Sequence, residues 1–384
     1  MIDPGNVPLS LYVHLPRCTR KCPYCDFNSH EGFSPSLQRP YIEALLSDLD
    51  SQQDGLAGRA VDSIFIGGGT PSLFESRWIA DLLEGIAKRA FLPSDAEITL
   101  ESNPGSAESS RFRDYRLAGV NRLSIGVQSF DDEALKALGR VHSGDEARRA
   151  LDLVATVGFS RWNIDLMHGL PGQNVVLAKA DLTEAIDRSA GHISWYQLTI
   201  ERNTHFWSMP PMLPDENTLE AVQRQGEACL NEANLSQYEV SAFSRRGEES
   251  RHNLNYWEFG DYLGVGAGAH GKLSLQDGAI VRSQRTRAPL DYLREANLPA
   301  MPPPQHVALA PEEKTVEFAM NALRLKSGVP IQRFAEHTGL PVEQLAAAAS
   351  TALSRGWIED PRNGQFRTTP LGYRFLDSVI ATFL

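Results

Sequence analysis

Six short apolar runs, each followed by an amphipathic helical stretch, recur between Leu9 and Ile200, and no other feature limits the possible fold so sharply. The runs are Leu9–His14, Ser63–Gly67, Glu97–Ser102, Arg122–Val127, Trp162–Met167 and His192–Ile200. Helical spacing fills the gaps at Tyr41–Asp50, Trp78–Ala90, Ser109–Ala118, Asp132–Leu138 with Gly144–Val157, and Leu177–Ser189. Near-continuous apolar strands alternating with helices predict an α/β fold with a parallel sheet. Polar residues gather at or just after the strand ends: His14, Gly67–Thr70, Glu101–Asn103, Gln128 and Asp165. Chemistry at the C-terminal ends of parallel strands is the rule for barrels. The expected architecture is therefore a partial (β/α)6 barrel with its site at that rim.

Beyond Glu201 the pattern loosens. Leu219–Glu232 reads as a helix, and Tyr238–Phe243 and Tyr262–Gly271 as further strands. Pro299–Pro304 is a proline-dense linker. Past it come helices at Glu312–Leu325, Ile331–His337 and Val342–Arg355, strands at Trp357–Glu359 and Phe366–Thr368 around a turn at Asn363–Gly364, and a last helix. That order resembles a winged helix. The expected division is residues 1–235 for the barrel, 236–298 for an accessory β segment and 306–384 for the C-terminal helical domain.

The net charge of −11 argues against a nucleic-acid partner, whose phosphates need a basic surface. From Pro311 to Leu384 there are eight Lys or Arg and eight Asp or Glu, so the winged-helix-like tail is neutral and reads as a packing or docking unit. Met1–Ser10 has neither a basic n-region nor an apolar core, so no signal peptide is expected. No run of about 18 apolar residues offers a transmembrane segment. These features lead to an expectation of a cytoplasmic protein.

The chain has four cysteines, and Cys18, Cys22 and Cys25 fall within one loop directly after the first strand: LYVHLPRCTRKCPYCDFNSH, Leu11–His30. Such a cluster reads as a metal or redox site. Three thiolates on a loop can each hold one corner of a cubane and leave the fourth iron open for a ligand. The alternative is a zinc knuckle completed by His14 or His30, although zinc sites usually pair two C-x2-C knuckles and only one is present. Cys229 lies alone in a helical stretch and reads as a structural thiol.

The C-x3-C-x2-C loop, with Tyr12 before it and Tyr24 within it, resembles the signature of radical S-adenosylmethionine (SAM) proteins. Further blocks, IGGGTPS (Ile66–Ser72), ESNP (Glu101–Pro104), RLSIGVQSF (Arg122–Phe130), LGRVHSG (Leu138–Gly144), NIDLMHGLPGQ (Asn163–Gln173) and YLGVGAGAHG (Tyr262–Gly271), resemble the oxygen-independent coproporphyrinogen oxidase superfamily. Within it the chain is most similar to the HemW-type heme chaperones. Only 17 residues precede Cys18, Phe27 stands where the dehydrogenase branch carries a further cysteine, and HNLNYW (His252–Trp257) is similar to the HN-x-x-YW motif of the heme-binding branch.

The resemblance implies a radical SAM partial barrel, a [4Fe–4S] cluster on Cys18, Cys22 and Cys25, and SAM held by Gly68, Gly69, Thr70 and Glu101, with Tyr12 and Tyr24 lining the pocket. Gln128, Arg140 and Asp165 match positions of a second SAM site. His252 becomes the expected heme ligand, with Tyr256 and Trp257 stacking on the porphyrin, whereas His270 reads as structural. The implied role is to hold heme and deliver it to a client hemoprotein such as a membrane-bound respiratory enzyme, with an electron donor for the cluster. The rival reading is a coproporphyrinogen III dehydrogenase.

Overall fold

The computed structural model describes residues 2–56, 58–189 and 191–384. The six expected strands form the centre of one sheet: β1 (Leu9–Leu15), β2 (Val61–Gly68), β3 (Glu97–Ser102), β4 (Arg122–Gln128), β5 (Arg161–His168) and β6 (His192–Gln197), each parallel to the next. Their apolar runs are buried on both faces. In β1, Leu9, Leu11, Val13 and Leu15 face helices while Ser10, Tyr12 and His14 face the sheet's inner side. The helices Gln38–Asp50, Ser76–Ala87, Gly144–Val157 and Val175–Arg188 pack into the same core.

The sheet extends beyond the parallel centre and does not close. β7 (Ser236–Glu239) and β8 (Ala242–Ser244) lie antiparallel beyond β6. On the other side β9 (Asp261–Val265) runs parallel to β1, followed by the antiparallel β10 (His270–Ser274), β11 (Ile280–Gln284) and β12 (Gln305–Ala308). The stretch expected as one accessory segment is thus shared between both ends of the sheet. The expected strand Tyr262–Gly271 is two strands joined by a glycine turn, because Gly266 and Gly268 adopt φ of 109° and 78°. HNLNYW lies in a helix, Arg251–Trp257, capped by Ser250, whose side chain accepts from the Asn253 N–H.

The C-terminal helices Pro311–Ala322, Gln332–Thr338, Val342–Ala348 and Ser350–Ser354 surround a two-stranded ribbon, Val329–Pro330 with Gln365–Phe366. Their core centres on Phe318, Phe334 and Phe366, and it also takes in Ile2, Val7, Phe259 and Ile280. Among the described residues no helix is long and apolar enough to cross a membrane.

Candidate functional site

The cysteine loop leaves the C-terminal end of β1 and is clamped at its base. Cys18 N–H donates to the His30 carbonyl at 3.0 Å, and His30 N–H donates to the Pro16 carbonyl at 2.7 Å. Within the loop, Cys25 N–H donates to the Cys22 carbonyl at 3.1 Å. All three thiols are free and half-buried. Burial pushes the Cys18 and Cys25 thiols up. Cys18 Sγ lies 3.5 Å from Thr70 Oγ1, Cys25 Sγ 3.8 Å from Ser29 Oγ, and Arg140 Nη1 donates to Cys22 Sγ at 3.7 Å.

The end of β2 is seated against this loop. Gly69 N–H donates to the Leu15 carbonyl at 2.8 Å and Thr70 N–H to the Arg17 carbonyl at 2.7 Å. A Cβ at position 69 would lie 2.5 Å from the Arg17 oxygen, so the approach requires glycine. Gly68 N–H donates to Glu101 Oε2 at 3.0 Å. Burial, reinforced by the nearby Asp165, pushes the Glu101 carboxyl up to about 8.

Asp165, on β5, accepts from Ser124 Oγ at 2.7 Å and from Asn163 Nδ2 at 2.8 Å. Arg140 Nη2 donates to Asn103 Oδ1 at 2.6 Å and to the Gly126 carbonyl at 2.9 Å, while its buried Nε has no partner. Asn103 Nδ2 in turn donates to Thr70 Oγ1 at 3.2 Å. Gln128 closes β4 with φ of 68°, where the pairing with β5 slips.

These elements enclose a cavity of about 440 Å3. The cavity brings together Cys18, Cys22, Cys25, Tyr24, Gly68, Gly69, Thr70, Glu101, Gln128, Arg140 and Asp165. Tyr12 stands outside it: its hydroxyl bonds His14 Nδ1 at 2.9 Å and its ring lines a neighbouring cavity of about 390 Å3. His252 lines neither. Its ring is 2% exposed, stacks on Phe65 at 4.9 Å, and shares a hydrogen bond between Nδ1 and Ser63 Oγ at 3.1 Å. Trp257 packs on the C-terminal core under the Arg324 guanidinium. Sequence reasoning missed the supports of the site, Ser124 and Asn163, whose only signal was polar residues on strands that are otherwise apolar.

The donor set suits a [4Fe–4S] cluster. Three reduced sulfurs sit on a clamped loop beside a cavity, with the half-buried Arg140 guanidinium next to one of them to offset the negative charge of ligated thiolates. Among the described residues no three His, Cys, Asp or Glu side chains converge as one tetrahedral ion requires, whereas a cubane takes one thiolate at each of three iron corners. The partnerless Arg140 Nε and the raised Glu101 carboxyl are matched to a ligand bearing both a carboxylate and an ammonium, as the methionine part of SAM does.

The fold and this rim define a radical SAM protein: residues 12–185 match the model of the radical SAM superfamily, and residues 309–375 match that of the HemN C-terminal domain. More narrowly, the chain belongs to the family of the heme chaperone HemW. It is 45% identical to the heme chaperone HemW of Escherichia coli (strain K12), covering 98% of each chain. The counterpart of Haemophilus influenzae is 44% identical, covering 99% of each. A mitochondrial radical SAM domain-containing protein 1 of Mus musculus is 37% identical over 100% of this chain and 88% of its own. Among solved structures, coproporphyrinogen III oxidase (HemN) of Escherichia coli superimposes with a TM-score of 0.82 over 99% of this chain and 90% of that one, at 20% identity, which is a likeness of fold.

Proposed function

We propose that this chain is a cytoplasmic heme carrier that binds heme and delivers it to a client hemoprotein, with a [4Fe–4S] cluster on Cys18, Cys22 and Cys25 and SAM in the adjoining cavity. The full-length similarity to the heme chaperone HemW carries this reading. An exposed Phe27, where the dehydrogenase branch carries a further cysteine, supports it as well. A membrane-bound respiratory enzyme is the class of client, met at the membrane surface, and a reductant protein supplies the electron.

A reduced [4Fe–4S] cluster supplies, when bound, the electron that cleaves the sulfonium of SAM. The chain's own residues hold the ligand in place. Glu101 takes the ammonium of its amino-acid part and the Gly68–Thr70 backbone lies along it. Arg140 would pair with its carboxylate, and Asp165, oriented by Ser124 and Asn163, would accept from ribose hydroxyls. Gln128, Arg140 and Asp165 lie on the same wall and would serve either one SAM or a second. Tyr24, packed on Phe206, closes the cavity beside the thiols.

The test is a pair of assays on one anaerobically reconstituted preparation. Coproporphyrinogen III with SAM and dithionite should yield no decarboxylated product. Heme should bind and move to an apo-hemoprotein on mixing. Robust product formation would identify a dehydrogenase and defeat the carrier assignment.

A further inference from the structure

Asp181 is buried on the helix Val175–Arg188 and lies outside the cavity that holds the three thiols. Its carboxyl group closes on the two residues that follow Gln128. Oδ2 accepts from Ser129 Oγ at 2.7 Å, and Oδ1 accepts from the Phe130 N–H at 2.8 Å. Ser129 Oγ also accepts from the Asp131 N–H at 3.1 Å, so the clasp reaches three consecutive residues. Among the described residues Asp181 has no ion pair. Asp131 and Glu184 are the charges that bear on it, and Glu184 is itself paired with Arg148, whose guanidinium lies over the Phe130 ring. Burial and these two carboxylates push the Asp181 carboxyl up to about 6, which leaves it mostly ionised at neutral pH. A buried carboxylate without a cation is costly, but its hydrogen bonds are stronger than those of a neutral acceptor. The group therefore suits a firm grip on backbone.

The backbone it grips is one that needs holding. Gln128 has φ of 68°, a region that residues with a side chain rarely adopt. The pairing of β4 with β5 skips a residue there, and the Ser129 N–H turns back to donate to the Val127 carbonyl at 2.9 Å. The turn folds the Gln128 side chain back over its own strand. A Cβ on Gly126 would lie 2.9 Å from Gln128 Nε2 and 3.6 Å from Arg140 Nη2, so the amide rests beside the guanidinium on the cavity wall.

The two flanks of the turn are fixed by different elements. Before Gln128, Arg140 Nη2 donates to the Gly126 carbonyl at 2.9 Å, and His142 Nε2 bonds the Val127 carbonyl at 3.0 Å. After it, the chain is held by Asp181 and by the packing of the Phe130 carbonyl on Gly144, where a Cβ would lie 2.2 Å away. Of these holds, only the one from Asp181 reaches the residue next to Gln128 on its C-terminal side.

We propose that Asp181 is the positioning residue for Gln128: its clasp on Ser129 and Phe130 keeps the left-handed turn closed and the Gln128 side chain beside Arg140, where the cavity takes SAM. The inference rests on the reading that this cavity binds SAM with Gln128 in its wall. The test measures SAM affinity of the anaerobically reconstituted full chain in a double-mutant cycle. Asp181→Ala should weaken SAM binding about tenfold, because it strips the acceptor from a buried N–H. Asp181→Asn, whose amide oxygen still accepts from the Phe130 N–H, should recover most of that loss. Ser129→Ala removes half of the clasp and should weaken binding by less. In a Gln128→Gly chain no side chain is left to position, so neither Asp181→Ala nor Ser129→Ala should weaken binding further. Wild-type affinity in both single variants would overturn the proposal and leave the SAM reading intact. So would an equal loss with and without the Gln128 side chain, which is the mark of a general structural role. Should Asp181→Ala fail to fold, Ser129→Ala in the two backgrounds decides by the same criterion. A wild-type chain that holds its cluster and binds no SAM would overturn both the proposal and the reading beneath it.

Discussion

Glu101 is poised to change its charge when a cation arrives. Burial holds its carboxyl near 8, so at neutral pH it is mostly protonated without ligand. A bound ammonium favours the carboxylate, so SAM binding at pH 7 should release close to one proton. Anaerobic calorimetry in buffers of different ionisation enthalpy reads this directly, and Glu101→Gln should abolish the release. The same shift makes a stability prediction. A carboxyl whose folded pKa lies above its unfolded value stabilises the fold fully below about 4.5, and that contribution is lost as pH rises through about 8. Ligand-free Glu101→Gln should therefore gain melting temperature over wild type progressively across that window. Equal melting temperatures at pH 8 would refute the assignment of the shift. Gln128 is a second local feature with a cost. Its left-handed φ of 68° is uncommon for a side-chain-bearing residue and sits on the cavity wall. Gln128→Gly should leave stability unchanged or raise it by up to about 1 kcal/mol in urea unfolding while weakening SAM binding.

At the scale of elements, the contact between the end of β2 and the cysteine loop is backbone on backbone. Gly69→Ala should force them apart and cost about 1–3 kcal/mol, with loss of iron content on reconstitution and retention of the helical signal in circular dichroism. The six parallel strands were legible because strands buried on both faces leave unbroken apolar runs. Of the outer strands, β7 to β10 were read in part, at Tyr238–Phe243 and Tyr262–Gly271, whereas β11 and β12 were not. β12 is exposed along its whole length, with no alternation to read, and β11 carries Arg282 and Ser283 in a run of only five residues. The helix Arg251–Trp257 was hidden because Asn253 and Asn255 are poor helix formers, and its cap at Ser250 supplies what propensity lacks. The candidate residues at the rim were legible as residue types, since polar groups at strand ends stand out. Which cavity each one lines was not, because Tyr12 and His252 are separated from the thiols by sheet geometry alone.

The whole molecule ties distant segments together. Ile2 and Val7 precede β1 yet pack with Phe318, Phe334 and Phe366 in the C-terminal core. Val7→Asp should bury an unpaired charge there and destabilise the C-terminal helices by several kcal/mol, read as faster amide exchange in residues 311–383. The two cavities share Gly68, Glu101, Asp26 and Phe27 as a common wall. The proposed chemistry requires three thiolates holding a cubane whose last iron is open. Anaerobic reconstitution with iron and sulfide, followed by reduction and electron paramagnetic resonance, measures that most directly. The expected result is about four irons per chain, a reduced-cluster signal that changes when SAM is added, and loss of both in any single Cys→Ala variant at positions 18, 22 or 25. Zinc alone, or a cluster signal that ignores SAM, would contradict it.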